Sequence, residues 1–139
     1  MTEVIGTGEF EEWYLALEER DAEAVAVAIG LLEEKGVTLG YPHSSDLKGT
    51  NLGELRELRV QSRGRAIRVA YCFDPGRQAV LLVGGDKTGG DRFYRWFISR
   101  AEKLWRAYLG DIRRQGHEDK TLARDPRSQV QRGRPRKDR

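Results

Sequence analysis

The chain has 139 residues, 38% hydrophobic and 34% charged, with a formal net charge of +3, one cysteine and two histidines. That length supports one domain with a real core, and no apolar run reaches the length of a bilayer span. A lone cysteine excludes an internal disulfide, and Met1-Thr2-Glu3-Val4 lacks the basic and apolar regions of a secretory signal, so a cytoplasmic protein is expected.

Charge is segregated along the chain. Residues 1–35 carry ten acidic side chains against Arg20 and Lys35, whereas basic residues outnumber acidic ones from Gly36 onward. An acidic helical side and a basic sheet side would orient such a molecule on a polyanion.

Val4 and Ile5 are read as a short first strand, ended by Gly6 to Gly8. Phe10, Trp13, Tyr14 and Leu17 then follow the i, i+3, i+4, i+7 spacing of an amphipathic helix whose aromatics face a core. Asp21 is the expected N-cap of a second helix carrying Val25, Ala28, Ile29 and Leu32, closed by Lys35-Gly36. Gly40 to Asn51 reads as a loop rich in breakers, and His43 within it reads as a solvated side chain.

Three β-like runs follow: Leu55–Val60, Ala66–Phe73 and Ala79–Val83. Gln61–Arg65 and Asp74–Gln78 separate them with hairpin-turn chemistry, so a three-stranded antiparallel meander is expected. Alternation puts Leu58, Val60, Ile67, Val69 and Tyr71 on one buried face, with Arg59 and Arg68 on the other, read as open to solvent. Cys72 is read as structural.

Gly84-Gly85-Asp86-Lys87-Thr88 looks like a phosphate-cradling loop and fails the pattern. Asp86 stands where glycine must precede the lysine, and neither glycine has its partner at the required distance. The last helix is expected from Asp91, as N-cap, to Leu109, with Gly110 as its stop. Phe93, Trp96, Phe97, Ala101, Leu104, Trp105 and Tyr108 form its apolar stripe, and Trp96, Trp105 and Tyr94, near its edge or start, are placed where a ligand or partner can be met. The expected division is thus a folded domain over 1–110 and a basic, disordered tail over 111–139.

Two histidines, one cysteine and no paired ligand spacing give no support for a metal site or cofactor, and no nucleophile elbow is present. What remains is a set of cations: Arg59, Arg63, Arg65, Arg68, Arg77, Lys87 and Arg92. Guanidinium groups suit phosphates, and in RNA cleavage they stabilise charge that builds on the phosphoryl oxygens after attack by the ribose 2′-hydroxyl. A lysine among arginines has its ammonium form disfavoured by like charge, which suits a general base, and Lys87 is the candidate.

Leu47-Lys48-Gly49, Glu57-Leu58-Arg59, Ile67 to Pro75 and Leu81 to Gly89, followed by an aromatic helix, together resemble the phage-derived HigB-type branch of the RelE/ParE toxin superfamily over about residues 3 to 109. The resemblance implies an α+β fold, with two N-terminal helices on a small antiparallel sheet and a C-terminal helix. It further implies the toxin of a type II toxin-antitoxin system: a metal-independent, ribosome-dependent mRNA endoribonuclease neutralised by a cognate antitoxin with a helix-turn-helix domain. Arg59 and Arg68 match the strand arginines of that family and Lys87 its lysine after the last strand. The chain departs from some relatives in having no histidine near the last helix, and Tyr94 is the stand-in as acid or orienter. Arg63, Arg65, Arg77 and Arg92 are expected to hold flanking phosphates. The alternatives are a ParE-like gyrase-binding toxin of the same fold and a nucleic-acid-binding module without chemistry.

Overall fold

The computed structural model describes residues 1–121, with side chains through residue 115. In chain order the elements are β1 (Val4–Gly6), α1 (Gly8–Leu15), α2 (Glu19–Lys35), β2 (Ser44–Asp46), β3 (Arg56–Ser62), β4 (Arg65–Phe73), β5 (Ala79–Asp86) and α3 (Asp91–Thr121), with short 3-10 turns at Gly36–Thr38 and Lys87–Gly89. The five strands form one sheet in the order β1-β5-β4-β3-β2, with β1 parallel to β5 and every other pair antiparallel. This is the α+β architecture that the resemblance implies. The expected meander is its centre, β3–β4–β5, and the short first strand is present at one edge.

Each face of the sheet is covered by helix. On one side α1 and α2 bury Phe10, Tyr14, Val25, Ile29 and Leu32 against Leu58, Val60, Ile67, Val69, Tyr71 and Leu81. On the other, α3 lays Phe93, Phe97, Ala101 and Trp105 against Ala70, Cys72, Val80, Leu82 and Val83. Each fully buried large side chain contributes on the order of 2 kcal/mol, so the two layers together drive the fold. The face carrying Arg59 and Arg68 is therefore not open as expected, because α3 roofs part of it. Arg68 is 3% exposed.

Local chemistry explains the element ends. Thr7 caps α1 by accepting the Phe10 N–H at 3.0 Å, and its hydroxyl donates to the Leu82 carbonyl at 2.7 Å. Gly36, at φ +57°, ends α2 where the Lys35-Gly36 pair predicts a stop. Asp21 is not the N-cap of α2. Glu18 occupies that place, and Asp21, in the first turn, is buried and turned toward the β3–β4 hairpin. Arg63 and Gly64 make that hairpin's two-residue turn, both at positive φ (53° and 79°), which suits glycine and is tolerated in arginine because the flanking pair Ser62 and Arg65 is locked in register.

Three further boundaries depart from expectation. Ser44–Asp46, inside the expected loop, pairs with Leu58, Glu57 and Arg56 as an edge strand too short and polar to show a period. The last strand continues through Gly84-Gly85 to Asp86. Helix α3 passes Gly110 and runs to Thr121. A glycine inside a helix costs only about 1 kcal/mol, and Arg114 pairs back to Asp111 one turn away, so Gly110 is not a stop. Residues 122–139 of the expected tail lie outside the described residues.

The pairing of β4 with β5 slips by one residue between Ala70 and Tyr71, leaving Leu82 as the extra residue of a bulge. The bulge reverses which face the following residues meet: Leu81 joins the α1–α2 core, whereas Leu82 and Val83 both join the α3 core. Gly84 then lies under Trp13 and Gly85 under Phe93 and Trp96. A Cβ at Gly84 would stand 2.4 Å from the Trp13 ring, and one at Gly85 would stand 2.8 Å from the Phe93 ring. The glycines accommodate ring packing on a strand, not a phosphate. Gly84→Ala should therefore destabilise the fold by about 1–3 kcal/mol through overpacking, read as a lower urea midpoint; an unchanged midpoint would show that α1 yields freely.

Candidate active site

Arg59 and Arg68 are direct cross-strand partners on β3 and β4, and Gly85 of β5 lies opposite Arg68. Partners in adjacent antiparallel strands point to the same face, so the two guanidinium groups stand side by side. Two like charges there need an anion. Glu57, two residues before Arg59 on the same strand and hence on the same face, supplies it.

The Glu57 carboxylate, in a residue 6% exposed, is the hub of the cluster. Its Oε2 lies 3.4 Å from Arg59 Nη1 and accepts from Ser45 Oγ at 3.3 Å. Its Oε1 accepts the Tyr94 hydroxyl at 2.8 Å and lies 3.7 Å from Arg68 Nε. A buried charge is tolerated only when paired and hydrogen-bonded, and both conditions are met here. Arg68 Nη1 donates to the Ile67 carbonyl at 3.1 Å, while its buried Nε, which makes no hydrogen bond within the described residues, faces the Glu57 carboxylate.

Tyr94 comes from the first turn of α3, on the flank of a stripe packed on β4 and β5, and reaches Glu57 of β3 through its hydroxyl. Burial, reinforced by the Glu57 carboxylate that its hydroxyl contacts, raises the phenol above its ordinary value against the opposing pull of Arg68. At neutral pH it is therefore a proton-bearing donor. Lys87, in the turn after β5, places its Nζ 5.8 Å from the Tyr94 ring centroid, where the ring face holds a cation. The fold thus brings Arg59, Arg68 and Tyr94 to Glu57, with Lys87 against the outer side of the site on the Tyr94 ring.

The other four expected contacts are not gathered there. Arg63 donates to Asp21 and Glu18, with Nη2 at 3.1 Å and 2.6 Å respectively, and Arg65 bridges Asp21 and Asp86 at 3.0 and 3.1 Å. Both face α2 and the sheet end. Arg77 sits in the Asp74–Gln78 turn, at the end of β4 remote from the β3–β4 hairpin. Arg92 is exposed on the first turn of α3. Of the edge aromatics, Trp105 is buried and Trp96 is 47% exposed. His43 is exposed as expected, though its carbonyl accepts the Arg59 N–H at 2.9 Å. Cys72 is buried, donates to the Glu54 carbonyl, and has its thiol pushed up to about 12 by burial, in keeping with a structural role.

Glu57 and Ser45 are the members that the basic pattern passes over. A signal for Glu57 exists: it is an acidic residue in a basic run, at i−2 from Arg59 and so on the same face of the strand. For Ser45 there is none, since its strand is recognisable only by its partner.

A family model described as phage derived protein Gp49-like matches residues 12–106, which include every member of the cluster. The chain is 40% identical over 94 residues to "Putative toxin HigB3" of Mycobacterium tuberculosis, covering 68% of this chain and 79% of that protein. It is 36% identical over 104 residues to "Putative toxin HigB2" of the same organism, covering 72% of this chain and 51%, about half, of that relative. The names agree with the HigB-type resemblance carried by the strand motifs. With more than half of its length matched by one family model, the chain belongs to the phage derived, Gp49-like family.

Proposed function

We propose that this protein is the toxin of a toxin-antitoxin pair and acts as an endoribonuclease on ribosome-bound mRNA in the cytoplasm, using its own side chains without a metal. The toxin reading follows the names of its relatives. The nuclease reading rests on one observation, the Arg59–Arg68 cross-strand pair joined with Tyr94 at Glu57, with Lys87 on the Tyr94 ring.

In this reading the scissile phosphate joins the two arginines. The 2′-oxygen attacks phosphorus, the bond to the 5′-oxygen breaks, and the products are a 2′,3′-cyclic phosphate and a 5′-hydroxyl. Arg68 and Arg59 stabilise the negative charge of the pentavalent state. Lys87 orients the 2′-hydroxyl, whose proton passes to solvent, and the Tyr94 phenol, its one O–H turned from Glu57, donates toward the departing 5′-oxygen. Glu57 positions Arg59, Arg68 and Tyr94. A cognate antitoxin, expected to carry a helix-turn-helix domain, restrains this activity. Arg92 is the best placed of the outer arginines for a flanking phosphate.

The test is to map transcript 5′ ends after brief induction. Codon-phased cuts bearing 5′-hydroxyls are expected. Intact transcripts accompanied by loss of plasmid supercoiling would replace this reading with gyrase poisoning.

A further inference from the structure

Tyr41 meets the arginine cluster from the solvent side. Its ring centroid lies 5.2 Å from the guanidinium carbon of Arg59, and the residue is 76% exposed. Core packing does not account for a large ring left this open. Nor does it ride on a free loop. His43 and Ser44 donate their N–H groups to the Gly40 carbonyl at 3.0 and 3.1 Å, and the Arg59 N–H donates to the His43 carbonyl at 2.9 Å. Arg56 Nη2 reaches the Leu39 carbonyl at 3.4 Å. The turn bearing Tyr41 is thus pinned to β3 at the arginine itself.

One residue, Arg59, therefore links two kinds of surface. Toward the sheet it joins Glu57 in the cationic cluster, and toward solvent it stands against an aromatic ring. Single-stranded nucleic acid is held by this combination, cations on the phosphate and an aromatic ring under the neighbouring base. A tyrosine on a hydrogen-bonded turn has few rotors to freeze, so little conformational entropy opposes stacking.

Given the reading of the cluster as a phosphate site, we infer that Tyr41 is the platform on which an unpaired RNA base beside the scissile phosphate stacks. Every base presents a π-face, so Tyr41 supplies affinity and register without selecting one base by hydrogen bonding.

The probe is a single-stranded 2′-O-methyl hexanucleotide, which has no free 2′-hydroxyl to attack and so cannot be cut. It is titrated into the full chain while NMR follows the Tyr41 ring and the Arg68 Nε–H. Upfield shifts of the Tyr41 ring protons are expected on binding. Tyr41→Ala should weaken binding about tenfold, and Tyr41→Phe should stay within about twofold of wild type. The salt dependence should keep its slope in both variants, because no phosphate contact is lost. Thermal unfolding should not move, since the ring is exposed. Removing the base at the stacked position should erase the difference between Tyr41→Ala and wild type. A shift at Arg68 with Tyr41 silent, or wild-type affinity in Tyr41→Ala, overturns the stacking role and leaves the nuclease reading standing. Silence at both groups overturns Tyr41 as a platform for a free single strand, whereas the nuclease reading, which concerns ribosome-bound mRNA, falls only with the mapped 5′ ends.

Discussion

Arg68→Gln is expected to lower mRNA cleavage on programmed ribosomes by about two to three orders of magnitude, the usual effect of removing one preorganised donor from a developing oxyanion. Arg68 is the buried member of the arginine pair, with its Nη1 fixed on the Ile67 carbonyl and its Nε facing Glu57. A guanidinium held in this way loses no orientation when charge develops beside it. The substitution also takes one of two cations from a buried carboxylate that Arg59, Tyr94 and Ser45 still hold, which costs about 1–3 kcal/mol. Loss of activity and loss of stability therefore need separating. Adding Glu57→Gln removes the less compensated charge, so the double variant should regain part of the urea midpoint while cleavage stays low. Single-turnover rates alongside urea unfolding would show that split. A folded Arg68→Gln protein that cuts at the wild-type rate would remove Arg68 from the chemistry.

Asp21→Asn is expected to lower stability by about 2 kcal/mol, as befits charge-assisted bonds to a buried carboxylate. Asp21 Oδ1 accepts the buried Ser62 hydroxyl at 2.7 Å, and Oδ2 meets Arg63 and Arg65 at 3.1 and 3.0 Å. These contacts tie α2 to the turn of the β3–β4 hairpin. The hydrogen bonds from Ser62 and Arg63, with the charges of Arg63 and Arg65, hold the carboxyl below its ordinary value against the opposing effect of burial. A depressed folded-state value means that the unfolded chain takes up the proton first as pH falls. The contribution is present in full above the unfolded carboxylate range, near about 3.9, and disappears as pH drops through the lower folded value. Wild-type stability should thus fall with acid across that window, and the Asp21→Asn curve should be flatter there. Parallel curves for the two proteins would mean that Asp21 is not the group responsible.

The same contacts alter the meaning of the hairpin arginines. Composition and turn chemistry place Arg63 and Arg65 in a basic run beside Arg59 and Arg68, and nothing in that run separates binders from structural pairs. Asp21 separates them, and it comes from a helix some forty residues earlier, 42 from Arg63. An ion pair that brings α2 onto β3 cannot be read from period or propensity, because neither carries long-range partnership. Arg59 and Arg68 are different. Their shared face follows from alternation on two strands joined by a two-residue turn, so their side-by-side placement is legible locally.

Residue order alone determined the meander, the apolar stripes of all three helices, and the face on which Arg59, Arg68 and Glu57 stand, because each depends on local period and turn chemistry. Only the tertiary structure decided that α3 would roof the arginine face, that a bulge at Leu82 would turn Gly84 and Gly85 toward rings on opposite faces, and that Tyr94, Ser45 and Tyr41 would reach the same carboxylate and arginines. Those outcomes rest on packing between segments far apart in sequence. Glu57 lies between the two cases: its position on the strand was legible, but its role as the anion that lets two buried-face arginines coexist appeared only when the sheet and α3 closed around it.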